Sequence, residues 1–280
     1  MGNREISGAP ALVSVILPTH NRAWTLKEAV DSVLDQDYPH IELIVIDDGS
    51  TDTTQELLAT YKDRIRVLTQ TNRGVSAARN AGIRAAGGSL IALLDSDDAW
   101  DKRKITCQVD FFKARPDAMI CQTEEIWIRN GKRVNPKKRH QKPSGMIFEA
   151  SLHLCLVSPS AVMMRKNLFD RIGYFNEEFT VCEDYDLWLR VSAVLPVFLI
   201  DQPYTVKRGG HPDQLSGIHS QDKFRIRSLS VLIASGALTP DQAAAAGKVL
   251  KEKCRVYGNG CIKRGKRDEG DYYLNLCRGL

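Results

Sequence analysis

Two near-continuous apolar runs in this chain end in carboxylates. Ile41 to Ile46 runs into Asp47-Asp48-Gly49-Ser50, and Leu90 to Leu94 into Asp95-Ser96-Asp97-Asp98. An aliphatic run without polar alternation reads as a strand buried on both faces, as in a parallel sheet covered by helices. Carboxylates at the ends of such strands serve no packing purpose, so they point to a cation and a polar ligand held over the carboxyl edge of the sheet.

The flanking pattern supplies the helices. Ser14 to Leu17 reads as a short strand, and Thr25 with Glu28 has capping-box spacing ahead of a helix that aligns Leu26, Ala29, Val30, Val33 and Leu34. Asp52 is placed to cap a helix through Tyr61, a strand lies near Arg66 to Leu68, and a helix of small residues spans about Val75 to Ala86. This is a βαβ series with right-handed crossovers, hence an α/β chain with a mostly parallel, Rossmann-like sheet flanked by helices. Farther along, Asn130-Gly131 between Ile126-Trp127-Ile128 and Val134 is a two-residue hairpin signal. Strands at Ser160 to Met164 and Val197 to Ile200 bracket a helix from Glu183 to Val194. From about Ser220 the pattern is helical only, through Asp241 to Val256 and an amphipathic stretch ending near Cys277. The chain thus divides into residues 1–215 and a small helical C-terminal extension, residues 216–280.

With 280 residues, 43% of them hydrophobic and 26% charged, the chain can bury a full core. The net charge of +5 is mild. The basic cluster Lys132, Arg133, Lys137, Lys138, Arg139 and His140 lacks interleaved aromatic residues, which fits a solvated loop better than a nucleic-acid face. It leaves an anionic membrane surface or a phosphorylated substrate open. Seven cysteines without paired short spacings argue against a disulfide framework and a zinc site and fit a reducing cytoplasm. Met1 to Pro10 is polar and reads as neither a secretion signal nor an anchor, and no stretch approaches the ~20 apolar residues of a membrane helix.

Asp95, Asp97 and Asp98 are the sharpest chemical signal. Hard oxygen ligands two residues apart on an extended segment share one side, which suits Mg²⁺ or Mn²⁺ with positions open to phosphate oxygens. The structural alternative is an acidic turn before a helix at Asp101. The small residues from Ala77 to Gly82 let a helix pack closely on the sheet, with Arg79 or Arg73 offering a diphosphate its fork, unless each is an ordinary surface arginine. Neither G-x-G-x-x-G nor G-x-x-x-x-G-K-[ST] occurs, which weighs against dinucleotide redox chemistry and P-loop hydrolysis. Trp100, Trp127 and Trp188 are candidates for stacking on an acceptor sugar, although the leucines around Trp188 favour core packing for it and Trp127 in the hairpin is open to either fate.

Val13 to Arg22, Gln36, Glu42 to Thr54, Gly74 to Gly88 and Leu90 to Trp100 follow the order and spacing of a known family. Over these hundred residues the chain resembles the nucleotide-sugar-binding half of the family 2 glycosyltransferases, which have the GT-A fold. The resemblance continues more loosely to Asp201, through Val157 to Val162, Gly173 to Glu177 and Glu183 to Arg190. It implies metal-dependent, inverting transfer of a hexosyl or N-acetylhexosaminyl unit from a nucleoside diphosphate sugar, a UDP-sugar, to an acceptor hydroxyl in cell-surface glycan assembly. The family's metal motif falls on Asp95 and Asp97, with Asp98 a further ligand in some members and His211 a later metal or phosphate contact, for Mn²⁺ or Mg²⁺. The nucleotide-sugar contacts fall on Pro18, Thr19, His20, Asp48, Gly74, Arg79, Asp95 and Ser96. The catalytic base falls on Asp184 of Glu183-Asp184, a pair that also reads as the acidic first turn of a helix. The partners implied are the donor and a glycan, lipid-linked or protein acceptor, with no nucleic acid. A cytoplasmic place is implied, and peripheral contact with the inner membrane face and homo-oligomerisation stay open. Two other classes stand beside this reading: a scaffold that keeps the nucleotide site without turnover, and a nucleotidyltransferase, against which the glycine-free segment Pro18 to Trp24 speaks.

Overall fold

The computed structural model describes residues 10–211, 214, 217 and 221–278, the side chains of 277 and 278 excepted. The segment before Pro10 and the expected division between Leu215 and Ser216 lie outside the described residues, as does Ser220.

The first half is built as the apolar runs dictate. Strands β1 (Val13–Thr19), β2 (Ile41–Asp47), β3 (Arg66–Thr69) and β4 (Leu90–Leu93) are all parallel, in the order β3-β2-β1-β4. The helices between them are α1 (Ala23–Leu34), α2 (Thr54–Ala59) and α3 (Val75–Ala85). The first two crossovers step outward from β1, and α3 carries the chain back to its other side. The strand order therefore reverses between β1 and β4, the point where open α/β sheets bind ligands at their carboxyl ends. Thr19 is level with Asp47, and Leu93 with Ile16, so the turns that follow β1, β2 and β4 open on one edge.

Strand alternation sorts the core into two layers. Val13, Val15 and Leu17 face Leu26, Val30 and Val33 of α1, whereas Ile16, Ile44, Ile46, Ile91 and Leu93 face α3. The small residues of α3 allow that approach: a Cβ on Gly82 would lie 2.4 Å from Ile16 Cγ2 and 2.6 Å from Ile46 Cδ1.

The second half extends the same sheet with mixed strand directions. Its elements are β5 (Ala99–Trp100), α4 (Lys104–Ala114), β6 (Ile120–Arg129), β7 (Lys132–Val134), α5 (Phe148–Ser151), β8 (Val162–Arg165), α6 (Leu168–Ile172), α7 (Glu183–Ser192) and β9 (Phe198–Gly209). The order continues β4-β8-β6-β9-β5, with β8 antiparallel to both neighbours, β6 parallel to β9 and β7 a hairpin on β6. Asn130 and Gly131 turn that hairpin with φ of 49° and 72°, the left-handed pair the dipeptide predicts.

Three expectations need correction. Thr25 and Glu28 do not cap α1, which begins earlier, at Ala23, because Asn21 takes a left-handed φ of 52°. Its first amides are met from the β2–α2 loop: Arg22 N donates to Thr54 Oγ1 at 3.3 Å and Ala23 N to Asp52 Oδ2 at 3.2 Å. Asp52 also accepts from Thr54 N at 3.0 Å, but α2 stops at Ala59 rather than Tyr61, and a 3₁₀ turn at Lys62–Arg64 follows. The last strand covers twelve residues, not four, because irregularities opposite Thr123 to Glu125 absorb Asp201, Gln202 and Tyr204 while Pro203 stays level with Glu124.

Helices α8 (Gln221–Ala234), α9 (Pro240–Lys263) and α10 (Arg267–Arg278) complete the chain. Thr239 and Gln242 form a reciprocal capping box at α9, with Pro240 at its first position. A third core joins Ile226, Leu229, Leu250 and Cys254 of these helices to Phe148, Leu152, Tyr185 and Leu189 of the body. No helix of the described residues is long and apolar enough to cross a membrane.

Candidate functional site

A cleft of about 660 Å³ opens over the carboxyl edge at the strand-order reversal. Pro18, Thr19, His20, Asp48, Gly74 and Arg79 line it, together with the whole Asp95 to Asp98 turn and Asp184. His211 reaches it through Asp97, since His211 Nε2 and Asp97 Oδ2 are 2.8 Å apart.

On the β1 and β2 side the loops are stitched together by side chains. Asn21 Oδ1 accepts from Thr51 N at 2.7 Å, and Asn21 N donates to Ser50 Oγ at 2.9 Å. Asp47 bonds its own turn, accepting from Ser50 N at 3.0 Å. Asp48, 3% exposed, accepts from Gln70 Nε2 (2.7 Å), Arg73 N (2.9 Å) and Gly74 N (2.8 Å). Gly74 caps α3 at φ 87°, a conformation that a side chain would strain although space for one exists.

The acidic turn separates three carboxylates that look equivalent in sequence. It is not an extended segment: Asp98 N donates to Asp95 O at 3.0 Å, closing a β-turn. Asp95 Oδ1 accepts from Arg79 Nη2 at 2.7 Å. Asp98 is 2% exposed and accepts from Ser160 Oγ (2.6 Å) and Arg208 N (2.8 Å), and burial pushes its carboxyl well up against the pull of Lys207. Asp97 turns toward His211 and Arg22, the latter at 3.6 Å. Burial and the Asp95 charge raise its pKa, with Arg22 and His211 opposing. Ser96 lines the cleft between them.

Facing this turn is the start of α7. Its cap residue, Cys182, takes a left-handed φ of 61°, a conformation that costs a non-glycine residue about 1–2 kcal/mol and persists mainly where function holds it. Glu183 is buried against Arg79 Nη1 at 2.7 Å. Burial and the neighbouring Asp184 charge push it up to about 7, with Arg79 opposing. Arg79 thus spends both terminal nitrogens bracing Asp95 to Glu183. Asp184 Oδ1 accepts from Tyr185 N at 2.7 Å, and Oδ2 lies 3.5 Å from the Cys155 thiol, which burial keeps protonated. Arg73 pairs with Glu177 at 2.8 Å.

Lys207, Arg208, Trp24 and Arg225 escape a sequence reading. Lys207 Nζ donates to Ser158 Oγ at 3.0 Å, and although burial alone would strip its proton, Glu125 and Asp98 hold it charged. The alternation along the end of β9 is the signal that would have found it. Trp24 is 62% exposed and meets the His211 ring edge-on at 5.4 Å. Trp188 is a core residue, as its leucine neighbours favour, and Trp100 is buried too, its Nε1 donating to Ser160 O at 2.7 Å, while Trp127 Nε1 donates to Glu125 at 2.9 Å, so no tryptophan wall forms. Gln221 and Arg225 bring α8 into the cleft wall.

Buried polar atoms in folded proteins are nearly always bonded. Here Thr19 Oγ1, His20 Nδ1, Ser76 Oγ, Arg79 Nε, Arg208 Nη1 and Arg225 Nε have no partner among the described residues, and all six residues line this cleft. Such a concentration of unmet donors and acceptors suits a highly polar ligand. Among the described residues no three His, Cys, Asp or Glu side chains are gathered as a ready metal cage. A catalytic Mg²⁺ or Mn²⁺ needs fewer, because substrate phosphates and water fill its other positions. Asp97 with His211 offers the hard oxygen and imidazole nitrogen that Mn²⁺ accepts.

Comparison with known proteins places this geometry. The family model described as glycosyl transferase family 2 matches residues 14–173. The UDP-Glc:α-D-GlcNAc-diphosphoundecaprenol β-1,3-glucosyltransferase WfaP of Escherichia coli is 32% identical over 240 residues, 80% of this chain and 87% of that protein. An uncharacterized glycosyltransferase of Rickettsia conorii is 32% identical over 214 residues, and the chain spans only 35% of its length. The crystal structure of Staphylococcus aureus TarS 1–349 in complex with UDP-GlcNAc superposes with a TM-score of 0.70 at 21% identity, covering 87% of this chain and 72% of that one, a likeness of fold. With its strand-order reversal, its acidic turn and its Glu-Asp helix start in one cleft, the chain belongs to glycosyl transferase family 2.

Proposed function

We propose that the protein transfers a hexosyl unit from a UDP-sugar to a hydroxyl of a lipid-diphosphate-linked glycan, inverting the anomeric centre, as a step in cell-surface glycan assembly. The six unpartnered polar atoms gathered in one cleft carry this reading. The donor and acceptor classes come from the glucosyltransferase relative.

Each residue has a task its surroundings support. Asp48 already accepts three hydrogen bonds, and a carboxylate has about four acceptor positions, which leaves room for one ring N–H of a base such as uracil. Thr19 Oγ1, His20 Nδ1 and Ser76 Oγ are free to take up the nucleoside. Asp97 and His211, with Asp95, would hold the divalent cation. When bound, it neutralises charge that develops on the departing diphosphate. Arg208 Nη1 is a further donor available to that group.

Asp184 removes the acceptor proton as the new bond forms. An alcohol is too weak an acid to lose it unaided at neutral pH, so the base acts in the transition state. Glu183 is tied to Arg79, which leaves Asp184 as the carboxylate of the pair free to act, with Cys155 and the Tyr185 amide fixing its orientation. A single displacement of this kind needs no covalent sugar intermediate and inverts the configuration.

Calorimetry with UDP and GDP, each with and without Mn²⁺, tests the donor half. UDP is expected to bind only with the cation, about tenfold or more weakly in Asp97→Asn. Equal, metal-independent binding of both nucleotides sinks the assignment. Asp184→Asn is expected to cut transfer by about 10²–10⁴-fold while UDP affinity holds. An unchanged rate removes Asp184 from the mechanism.

A further inference from the structure

Arg225 belongs to the C-terminal helices, yet it forms part of the cleft wall on the side of Asp184. Its guanidinium lies over the ring of Tyr185, the residue after Asp184, at 5.8 Å, and Tyr185 is itself fixed by a 2.6 Å bond from its hydroxyl to Leu152 O. Nη1 donates to Asp222 Oδ1 at 3.3 Å and Nη2 to Gln221 Oε1 at 3.0 Å, and Nε has no partner among the described residues. The charge on Asp222 is not reserved for Arg225. Lys253 Nζ lies 3.5 Å from the same oxygen while donating to His153 O at 3.3 Å. Arg225 and Lys253 thus share this one oxygen of Asp222.

The other cations of the cleft are differently placed. Arg22 faces Asp97, Arg73 pairs with Glu177, Arg79 lies between Asp95 and Glu183, Arg208 pairs with Glu28 beside the acidic turn, and Lys207 is held by Ser158 and Glu125. Arg225 alone among these six stands on α8, outside the segments that would bind the donor. A guanidinium recognises a phosphate through two parallel N–H bonds, here from the unbonded Nε and the second hydrogen of an adjacent Nη, and Arg keeps its charge at any physiological pH.

We infer that Arg225, with Lys253 offsetting Asp222 behind it, anchors the phosphate of a phosphorylated acceptor whose neighbouring hydroxyl is presented to Asp184. The inference rests on the transfer reaction proposed above and assigns to this chain the residues that select its acceptor class. It also gives the C-terminal helices a role in recognition: a phosphate gripped at Arg225 orients the sugar ring attached to it, so that one hydroxyl rather than its neighbours meets the base.

The test titrates two probes into the full chain, with and without UDP and Mn²⁺: N-acetylglucosamine bearing an octyl diphosphate at C1, and the octyl glycoside that lacks the phosphates. Wild type is expected to favour the diphosphate probe by about tenfold or more. Arg225→Gln is expected to lose most of that preference, Arg225→Lys to keep part of it, and Lys253→Gln to fall between, all with unaltered UDP affinity and circular dichroism. Equal binding of the two probes by wild type, or a preference that survives in Arg225→Gln, overturns the assignment. Failure of wild type to bind UDP would instead remove the donor reading, and the probe comparison without nucleotide still decides the phosphate site.

Discussion

Glu125 lies on β6 between two lysines, with Lys142 Nζ at 3.2 Å from Oε1 and Lys207 close by, the Glu125 and Lys142 side chains almost wholly buried and Lys207 partly so. Burial alone would raise its pKa, but the two cations hold it down to about 2. A depressed acid contributes stability that is complete above the unfolded value, near 4.5, and is lost as the pH falls through about 2. Glu125→Gln is therefore expected to cost about 3 kcal/mol at pH 7, because it strands two ammonium groups, one buried and one partly so. Urea denaturation should show the gap from wild type closing between pH 5 and pH 2, and a gap independent of pH contradicts the account. At this scale the sequence announces residue type but not division of labour. Asp95, Asp97 and Asp98 form one acidic cluster on the page, and only the turn assigns the first to Arg79, the second to His211 and the third to Ser160 and the Arg208 amide. Lys207 and Arg208 escape a local pattern because their partners are Glu28, Asp98, Glu125 and Ser158, and Arg225 because Tyr185, forty residues back, is what brings it to the cleft.

Elements were the most legible scale. The apolar runs at Ile41 and Leu90 and the small-residue helix became β2, β4 and α3 with boundaries shifted by one residue at most. Local rules failed where a distant segment supplied what they assume is local. The β2–α2 loop caps α1, and pairing with β6 carries β9 through Pro203. The closeness of α3 to the sheet gives a quantitative check. Alanine for glycine in a helix gains about 1 kcal/mol, but overfilling a packed core costs about 1–3 kcal/mol. With Ile16 Cγ2 only 2.4 Å from the added carbon, packing should win, so Gly82→Ala is expected to lower the urea midpoint and weaken UDP binding through the Gly74 cap. A stabilised variant would show that α3 has room to move away.

For the whole molecule, the sequence yields the α/β class and a helical C-terminal stretch but not how that stretch is attached. The amphipathic faces of α8 and α9 carry no information on which surface they cover. In the structure they close over Phe148, Leu152, Tyr185 and Leu189. A chain ending at residue 211 is therefore expected to expose these side chains, bind a hydrophobic dye and lose cooperative unfolding. A truncated chain that stays monomeric and melts sharply would show that the helices are dispensable to the fold. The reach of Arg79 from the acidic turn to the Glu-Asp helix also bears on exchange of parts between relatives. A chimaera that grafts the first hundred residues onto another protein's remainder imports the guanidinium without the acid at position 183. Unless the recipient provides an equivalent acid, Arg79 keeps Asp95 but leaves its second buried bond unmet, worth about 1.5–3 kcal/mol of lost stability, so successful recombination is confined to crossover points that keep both ends of the brace from one parent.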